Sequence, residues 1–432
     1  MQIKPARIIA LSFLIAIFFG VLFLLLPVST EGEIAFIDAL FTATSAVCVT
    51  GLVVQNTGAF FTSFGQGVIL VLFQLGGLGI MAFSTIFALM LGKRITIRGR
   101  RALSVVFENV EIDVKVLLKW IFVCTVLMEA LGAVILNFYW RDLGFFNALF
   151  HSVSAFCNAG FSLFPMSLQD ARSSILINAV FILLIVSGGI GFLVLYDLGR
   201  LLKHKIIKKD MRLTLHSKMV LIITIALFIL GAVFLFISEN QGVLEGTTLN
   251  SKVLAACFQS VTARTAGFNT VEIAKLNPGS KMLLSMLMFV GASPGSTGGG
   301  VKTVTFGLII LGIVAILRGK NQIRFFNRAI PLKLFEKAVV IFTLSILWIF
   351  FAVLVLFFTE QQNALHIIFE VISAFGTVGL SCGITAQLTI IGKLIIILTM
   401  FFGRIGPMTL AIALARRETG DFKLPEENVM VG

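Results

Sequence analysis

Apolar stretches recur along the chain in two lengths. Runs of roughly 20 residues or more, enough to cross ~30 Å of hydrocarbon at ~1.5 Å per residue, fall near 8–27, 66–92, 116–138, 175–199, 219–238, 281–317, 336–358 and 389–415. Within each successive pair lies a shorter apolar stretch that ends in a glycine. These short stretches align with one another: FIDALFTATSAVCVTGL (36–52), FFNALFHSVSAFCNAGF (145–161), KVLAACFQSVTARTAGF (252–268) and ALHIIFEVISAFGTVGL (364–380). Without gaps, Gly51, Gly160, Gly267 and Gly379 share one column, and Ser45, Ser154, Val261 and Ser373 share another. Self-similarity at a period near 110 residues marks a repeat architecture. At roughly 12 residues before its glycine, each short stretch cannot span and predicts a re-entrant pore helix. The expected fold is an all-α polytopic membrane protein of four units, at 1–92, 93–199, 200–317 and 318–432. Each unit is a span, a pore helix, a loop and a second span, giving eight transmembrane spans in all. Two spans return the chain to its starting side, so the units are parallel and can surround one central pore. Inverted-repeat transporters commonly need an odd number of spans per unit, which disfavours that class.

Charge sets the expected orientation. Most of the 34 Lys and Arg residues cluster at the N-terminus, at 93–119, 200–218 and 318–337, and in the C-terminal tail, while Glu31, Glu33, Glu239, Glu245 and Glu360 occupy segments between them. By the positive-inside rule the basic places, and with them both termini, are cytoplasmic faces of a multi-pass protein of the cell membrane. The net charge of +13 therefore faces membrane lipids and one side of the bilayer. Nucleic acid is disfavoured as a partner, because the lysines flank span ends. The chain is 58% hydrophobic and 13% charged and has no long polar linker, so no appended soluble domain is expected. The run Ile8 to Leu26 behind Lys4 and Arg7 exceeds a signal-peptide core and reads as the first span. The cysteines at 48, 124, 157, 257 and 382 form no C-x-x-C pair and read as packing residues. His151, His204, His216 and His366 show neither metal-ligand nor triad spacing, so neither an enzyme nor a resident cofactor is expected.

Irregular backbone at membrane depth persists only when buried in protein or lining water. Four glycine loops converging on an axis would present rings of carbonyl oxygens, which replace the hydration shell of a monovalent cation. The candidate filter is Val49, Thr50, Gly51; Asn158, Ala159, Gly160; Thr265, Ala266, Gly267; and Thr377, Val378, Gly379, with K⁺ held at the four glycines. Thr377-Val378-Gly379 matches the start of the T-V-G-Y-G signature, and the other three are degenerate versions of it. A second irregular stretch, GASPGSTGGGVKT (291–303), interrupts the trailing run of the third unit. Its proline and glycines cannot hold a helix at ordinary stability. The expectation is two half-helices joined by a loop of Gly291, Ala292, Ser293, Pro294, Gly295, Ser296, Thr297, Gly298, Gly299 and Gly300. Lying just below the filter, this loop would be a gate, with Lys302 and Arg404 discouraging cations while it is closed. The same residues half-match a phosphate-cradling P-loop. That motif needs a preceding strand and a globular nucleotide domain, neither of which the sequence offers.

Together the four loops, the T-A-R-T-A-G-F run (262–268), the glycine-rich break and Arg404 in FGRIGPMTL (402–410) resemble the superfamily of potassium transporters that includes Trk, Ktr and plant HKT proteins. The likeness runs from about residue 8 to 415 and is strongest to the Ktr branch. It implies potassium uptake through one pore per protomer, a homodimer, and a cytosolic ring of nucleotide-binding regulatory subunits that carry the nucleotide. Ion-coupled symport with Na⁺ or H⁺ stands as the alternative.

Charges at membrane depth cost ~2.5–3.5 kcal/mol on insertion scales. Arg404 and Glu129 fall mid-span and Glu370 lies in the fourth pore helix. Arg404 either pairs with one of these carboxylates or, as the resemblance implies, faces the pore near the gate. Arg264 is expected to point behind the filter and hydrogen-bond its loop.

Overall fold

The computed structural model describes residues 5–80, 114–206 and 212–414. In chain order the helices are α1 (Pro5–Leu24), α2 (Phe36–Val47), α3 (Thr57–Phe60) and α4 (Ser63–Leu78), then α5 (Val114–Tyr139), α6 (Phe145–Phe156), α7 (Ile175–Gly189) and α8 (Phe192–Ile206). They continue as α9 (Leu215–Ser238), α10 (Leu249–Thr262), α11 (Pro278–Phe289) and α12 (Thr303–Leu317). After a β-hairpin follow α13 (Leu332–Thr359), α14 (Ala364–Gly376), α15 (Ile390–Ile405) and α16 (Pro407–Leu414). The hairpin pairs Ile323–Phe325 with Arg328–Ile330, an exception to the all-α expectation. Phe326 and Asn327 both take positive φ, the two-residue turn that matches strand twist. The basic stretch 93–113, residues 207–211 and the tail from 415 lie outside the described residues.

Among the described residues, α1, α5, α9 and α13 are long and apolar enough to cross a membrane singly. Their outer faces carry exposed Leu14, Phe18, Ile225, Ile229, Phe350 and Phe358, the last 84% exposed, a surface suited to lipid rather than water. The inner faces of α9 and α13 carry stripes of small residues, and Gly132 of α5 faces Ser152. Ser217, Thr224 and Gly231 on α9, and Ala338, Ser345 and Ala352 on α13, repeat at seven-residue spacing and are buried. Such stripes allow close helix approach in lipid. Into them dock the short helices, whose serines donate to leading-helix carbonyls: Ser152 Oγ to Glu129 O at 2.7 Å and Ser260 Oγ to Phe228 O at 2.8 Å.

The short helices α2, α6, α10 and α14 each bury a phenylalanine at a matching place, Phe41, Phe150, Phe258 and Phe369, four residues before Ser45, Ser154, Thr262 and Ser373. This corrects the gapless alignment. Ala266 N reaches back four residues to Thr262 O, whereas Thr50, Ala159 and Val378 reach back five, to Ser45, Ser154 and Ser373. The third turn is one residue tighter, so Thr262, not Val261, shares the column of the three serines.

The trailing regions depart further from expectation. Single spans are predicted outside the third unit, yet α4 ends at Gly79 with φ 78°, and α15 ends at Gly406 with φ 90°. α7 and α8 meet at 106°, across Gly191 with φ 95°. Glycine in left-handed backbone stops each helix at membrane depth without the steric penalty other residues would meet. Two lysines tie successive units together. Lys393 on α15 bridges Asp38 on α2 at 2.6 Å, and Lys281 on α11 lies 3.3 Å from His366 Nε2 on α14. Each lysine is the fourth residue of its helix and each partner the third of its own.

Candidate ion pathway

Beyond each short helix the backbone alternates in hand. Val49, Asn158, Thr265 and Thr377 take φ of 58°, 58°, 80° and 51°, and the glycines two residues on take 87°, 72°, 76° and 90°. Between them, Thr50, Ala159, Ala266 and Val378 keep negative φ. In uniform extended backbone successive groups point to opposite sides; reversing every second residue turns successive carbonyls to one side. A left-handed valine or threonine is a strained outlier, and strain of this kind concentrates at functional sites.

The four segments close into a ring. A Cβ on Gly160 would meet Ala266 O at 2.9 Å, and one on Gly267 would meet Val378 O at 2.5 Å. One on Gly51 would strike Ala159 O, and one on Gly379 would strike Thr50 O. Each glycine thus faces the carbonyl that precedes the next segment's glycine, in the order first, second, third, fourth and back to the first. The hydroxyl column holds the ring from behind. Ser45 Oγ accepts from Gly51 N at 3.1 Å and Ser373 Oγ from Gly379 N at 3.2 Å. Ser154 Oγ donates to Phe161 O at 2.8 Å and Thr262 Oγ1 to Phe268 O at 2.7 Å. Sequence reading found the serine column but gave it no role. Above the glycines opens a cavity of 220 Å³, whose polar side chains include Asn56, Ser162, Gln169, Asn269 and Ser381 and whose lining carries no charged residue.

The other end of the ring is covered by the 291–302 loop. Gly299 N donates to Thr377 Oγ1 at 2.9 Å, and a side chain on Gly298 would collide with Thr265 Oγ1. The loop is also sewn to the interrupted helices: Ser293 N to Gly189 O at 3.0 Å, Thr297 N to Gly188 O at 3.2 Å, Phe192 N to Gly295 O at 2.9 Å, and Gly300 N to Gly403 O at 3.3 Å. Within it, Ala292 N donates to Gly299 O at 3.2 Å and Ser296 Oγ to Ser293 O at 2.6 Å. Pro294 O lies against Gly191, and Lys302 Nζ donates to Gly298 O at 2.7 Å.

Arg404 donates to Thr297 O in this loop and to Gly76 O near the end of α4. The carboxylate pairing held open for it is not made. Glu129 instead accepts from Gln74 Nε2 at 3.2 Å, and Glu370 from Ser381 and Thr385. Thr297 O lies in irregular backbone and Gly76 O in the last turn of α4, and the guanidinium serves a lone pair of each. Arg264 also differs from expectation. It directs Nη1 to Thr224 O on α9 at 3.5 Å and does not bond the filter loop. It lines an apolar cavity of 160 Å³ between α7, α9 and α10, the space available to a long side chain behind a tightened turn.

Lipid-facing helices around a closed ring of four glycine segments define a polytopic membrane protein. A model of the TrkH family, described as cation transport proteins, matches residues 8–422, and the chain belongs to that family. Ktr system potassium uptake protein B of Bacillus subtilis (strain 168) is 39% identical over 439 residues, covering 100% of this chain and 97% of that protein. Potassium/sodium uptake protein NtpJ of Enterococcus hirae is 38% identical over 448 residues, covering 100% and 98%. The crystal structure of the potassium transporter TrkH from Vibrio parahaemolyticus shares the fold, with a TM-score of 0.75 at 21% identity over 96% of this chain and 85% of that one.

Proposed function

We propose that the chain carries potassium ions into the cell along the axis of the glycine ring, with backbone carbonyls of the four segments as ion ligands. The observation that carries this reading is the closed ring itself, each glycine set against the carbonyl of the next segment. Its support includes relatives that are named for potassium uptake. Four parallel units around one pore, with eight crossings and both termini cytoplasmic, give the ring its symmetry and the basic loops one side. The 291–302 loop is the gate, and Lys302 and Arg404 place positive charge beside the closed path. A second reading, transport coupled to Na⁺, draws on the name of the Enterococcus relative, which pairs potassium with sodium. Flux into proteoliposomes under separately imposed K⁺ and Na⁺ gradients tests both. Passive conduction predicts K⁺ movement set by its own gradient; coupling predicts uphill K⁺ accumulation when only Na⁺ is inwardly driven. Absence of K⁺ flux under every gradient would sink the assignment.

The working assembly we propose is a homodimer controlled by a separate cytosolic nucleotide-binding subunit, in keeping with a relative named as part of a Ktr system. The basic loops at 200–218 and 318–337 offer that partner an electrostatic surface. Reversing Lys203, Lys205, Lys208, Lys209 and Arg212 is expected to weaken its binding in a salt-dependent way. Pull-down across a salt series checks this, and failure of any such subunit to co-purify at low salt counts against it.

A further inference from the structure

Three residues before each bracing hydroxyl, the short helices carry Thr42, His151, Gln259 and Glu370, all buried. In the second and fourth segments this position reaches past the glycine. His151 Nε2 lies 3.0 Å from Ser162 Oγ and accepts from Leu163 N at 3.3 Å, while Nδ1 lies 2.8 Å from Asn147 O. A ring nitrogen facing a backbone N–H must be the acceptor, so the imidazole is neutral with its proton on Nδ1, and Ser162 donates. Glu370 Oε2 accepts from Ser381 Oγ at 2.8 Å and Oε1 accepts from Thr385 Oγ1. Ser162 and Ser381 occupy the same place, two residues after Gly160 and Gly379, and both line the outer cavity. The first and third segments lack this tie. They place Val53 and Asn269 there, and the side-chain amide of Gln259 is buried without a partner.

From this we infer that His151 and Glu370 are positioning residues, which pin the outer ends of two diagonally opposed filter segments through Ser162 and Ser381 and thereby set cation preference. The inference rests on the filter reading. A carbonyl ring discriminates K⁺ from Na⁺ through the size and stiffness of its cage. The hydroxyl column fixes the inner part of each segment, and these ties fix the outer part. A carboxyl group buried at membrane depth is expensive to retain, and its two hydroxyl donors belong to the segment it would steady.

The test uses full-length protein in proteoliposomes, reading the Na⁺/K⁺ flux ratio and apparent K⁺ affinity, with thermal unfolding in detergent alongside. Ser381→Ala, Ser162→Ala and Glu370→Gln are compared with the filter variant Gly379→Ser. Loss of one tie of ordinary hydrogen-bond strength is expected to raise the flux ratio about fivefold at an unchanged unfolding midpoint for Ser381→Ala. Ser381→Thr, which keeps the hydroxyl, is expected to restore the native ratio. Should Gly379→Ser shift the ratio while the three tie variants keep both native ratio and native affinity, the positioning role is overturned and the filter stands. If Gly379→Ser also leaves the ratio unchanged, both fall.

Discussion

Deleting residues 292–299 is expected to raise potassium flux about tenfold or more and to make it largely independent of any cytosolic partner. The deletion can be closed. Val290 and Val301 are bridged through their backbones, Val301 N donates to Phe289 O at 3.3 Å, and a Cβ on Gly300 would sit 3.2 Å from Gly291 Cα. The loop is thus an excursion whose ends already meet, the geometry of an Ω-loop, and α11 and α12 can be rejoined without moving either. The deletion removes the bond from Gly299 N to Thr377 Oγ1, those from Ser293 and Thr297 to the end of α7, and the Thr297 carbonyl that holds Arg404. Net values of ~0.5–1.5 kcal/mol per bond mean that two or three such losses favour an open path by tenfold or more, at ~1.4 kcal/mol per decade. Uptake of rubidium as a potassium tracer into proteoliposomes, with and without the partner, measures both effects. A folded deletion variant with native, fully regulated flux would make the loop a fixed brace and end the gate reading.

What the sequence disclosed, and what it hid, follows from the kind of signal each feature leaves. The short helices are legible because 12 to 14 residues cannot cross a bilayer. The interruption of the third trailing region is legible because Pro294 and a run of glycines exclude a helix. The breaks at Gly79, Gly191 and Gly406 are less so, because the glycines beside them (Gly76, Gly77, Gly188, Gly189 and Gly403) also fit close helix packing in lipid, and a cluster of this kind looks the same whether it packs or turns. The tighter third turn was hidden for a related reason. Aligning on Gly267 forces Val261 under the serines, and only the buried phenylalanines and the backbone bonds reveal the slip to Thr262. Arg404 misled because a mid-membrane cation suggests a carboxylate, whereas its partners are main-chain carbonyls, which every sequence contains. Glu370 and His151 are visible as oddities in apolar helices. Their partners Ser162 and Ser381 are unremarkable serines until the fold brings them within bonding distance.

The ring also predicts an order of severity among serine substitutions at the four glycines. Every one of them forces an L-residue into positive φ, a strain of ~1–3 kcal/mol at such sites, so that penalty does not separate them. The neighbouring carbonyl does. A Cβ on Gly160 would meet Ala266 O at 2.9 Å and one on Gly267 would meet Val378 O at 2.5 Å, whereas Gly51 and Gly379 leave still less room before Ala159 O and Thr50 O. Those oxygens are the proposed ion ligands, so relieving the clash means displacing a ligand of the adjacent segment. Gly379→Ser and Gly51→Ser are therefore expected to lower the K⁺/Na⁺ preference most, by about tenfold for each ~1.4 kcal/mol of distortion, and Gly160→Ser least. Competition between K⁺ and Na⁺ for uptake in proteoliposomes, run on all four variants, reads the order directly. Equal losses at all four positions would assign the effect to backbone strain alone. Native preference in all four would remove the ring from the permeation path.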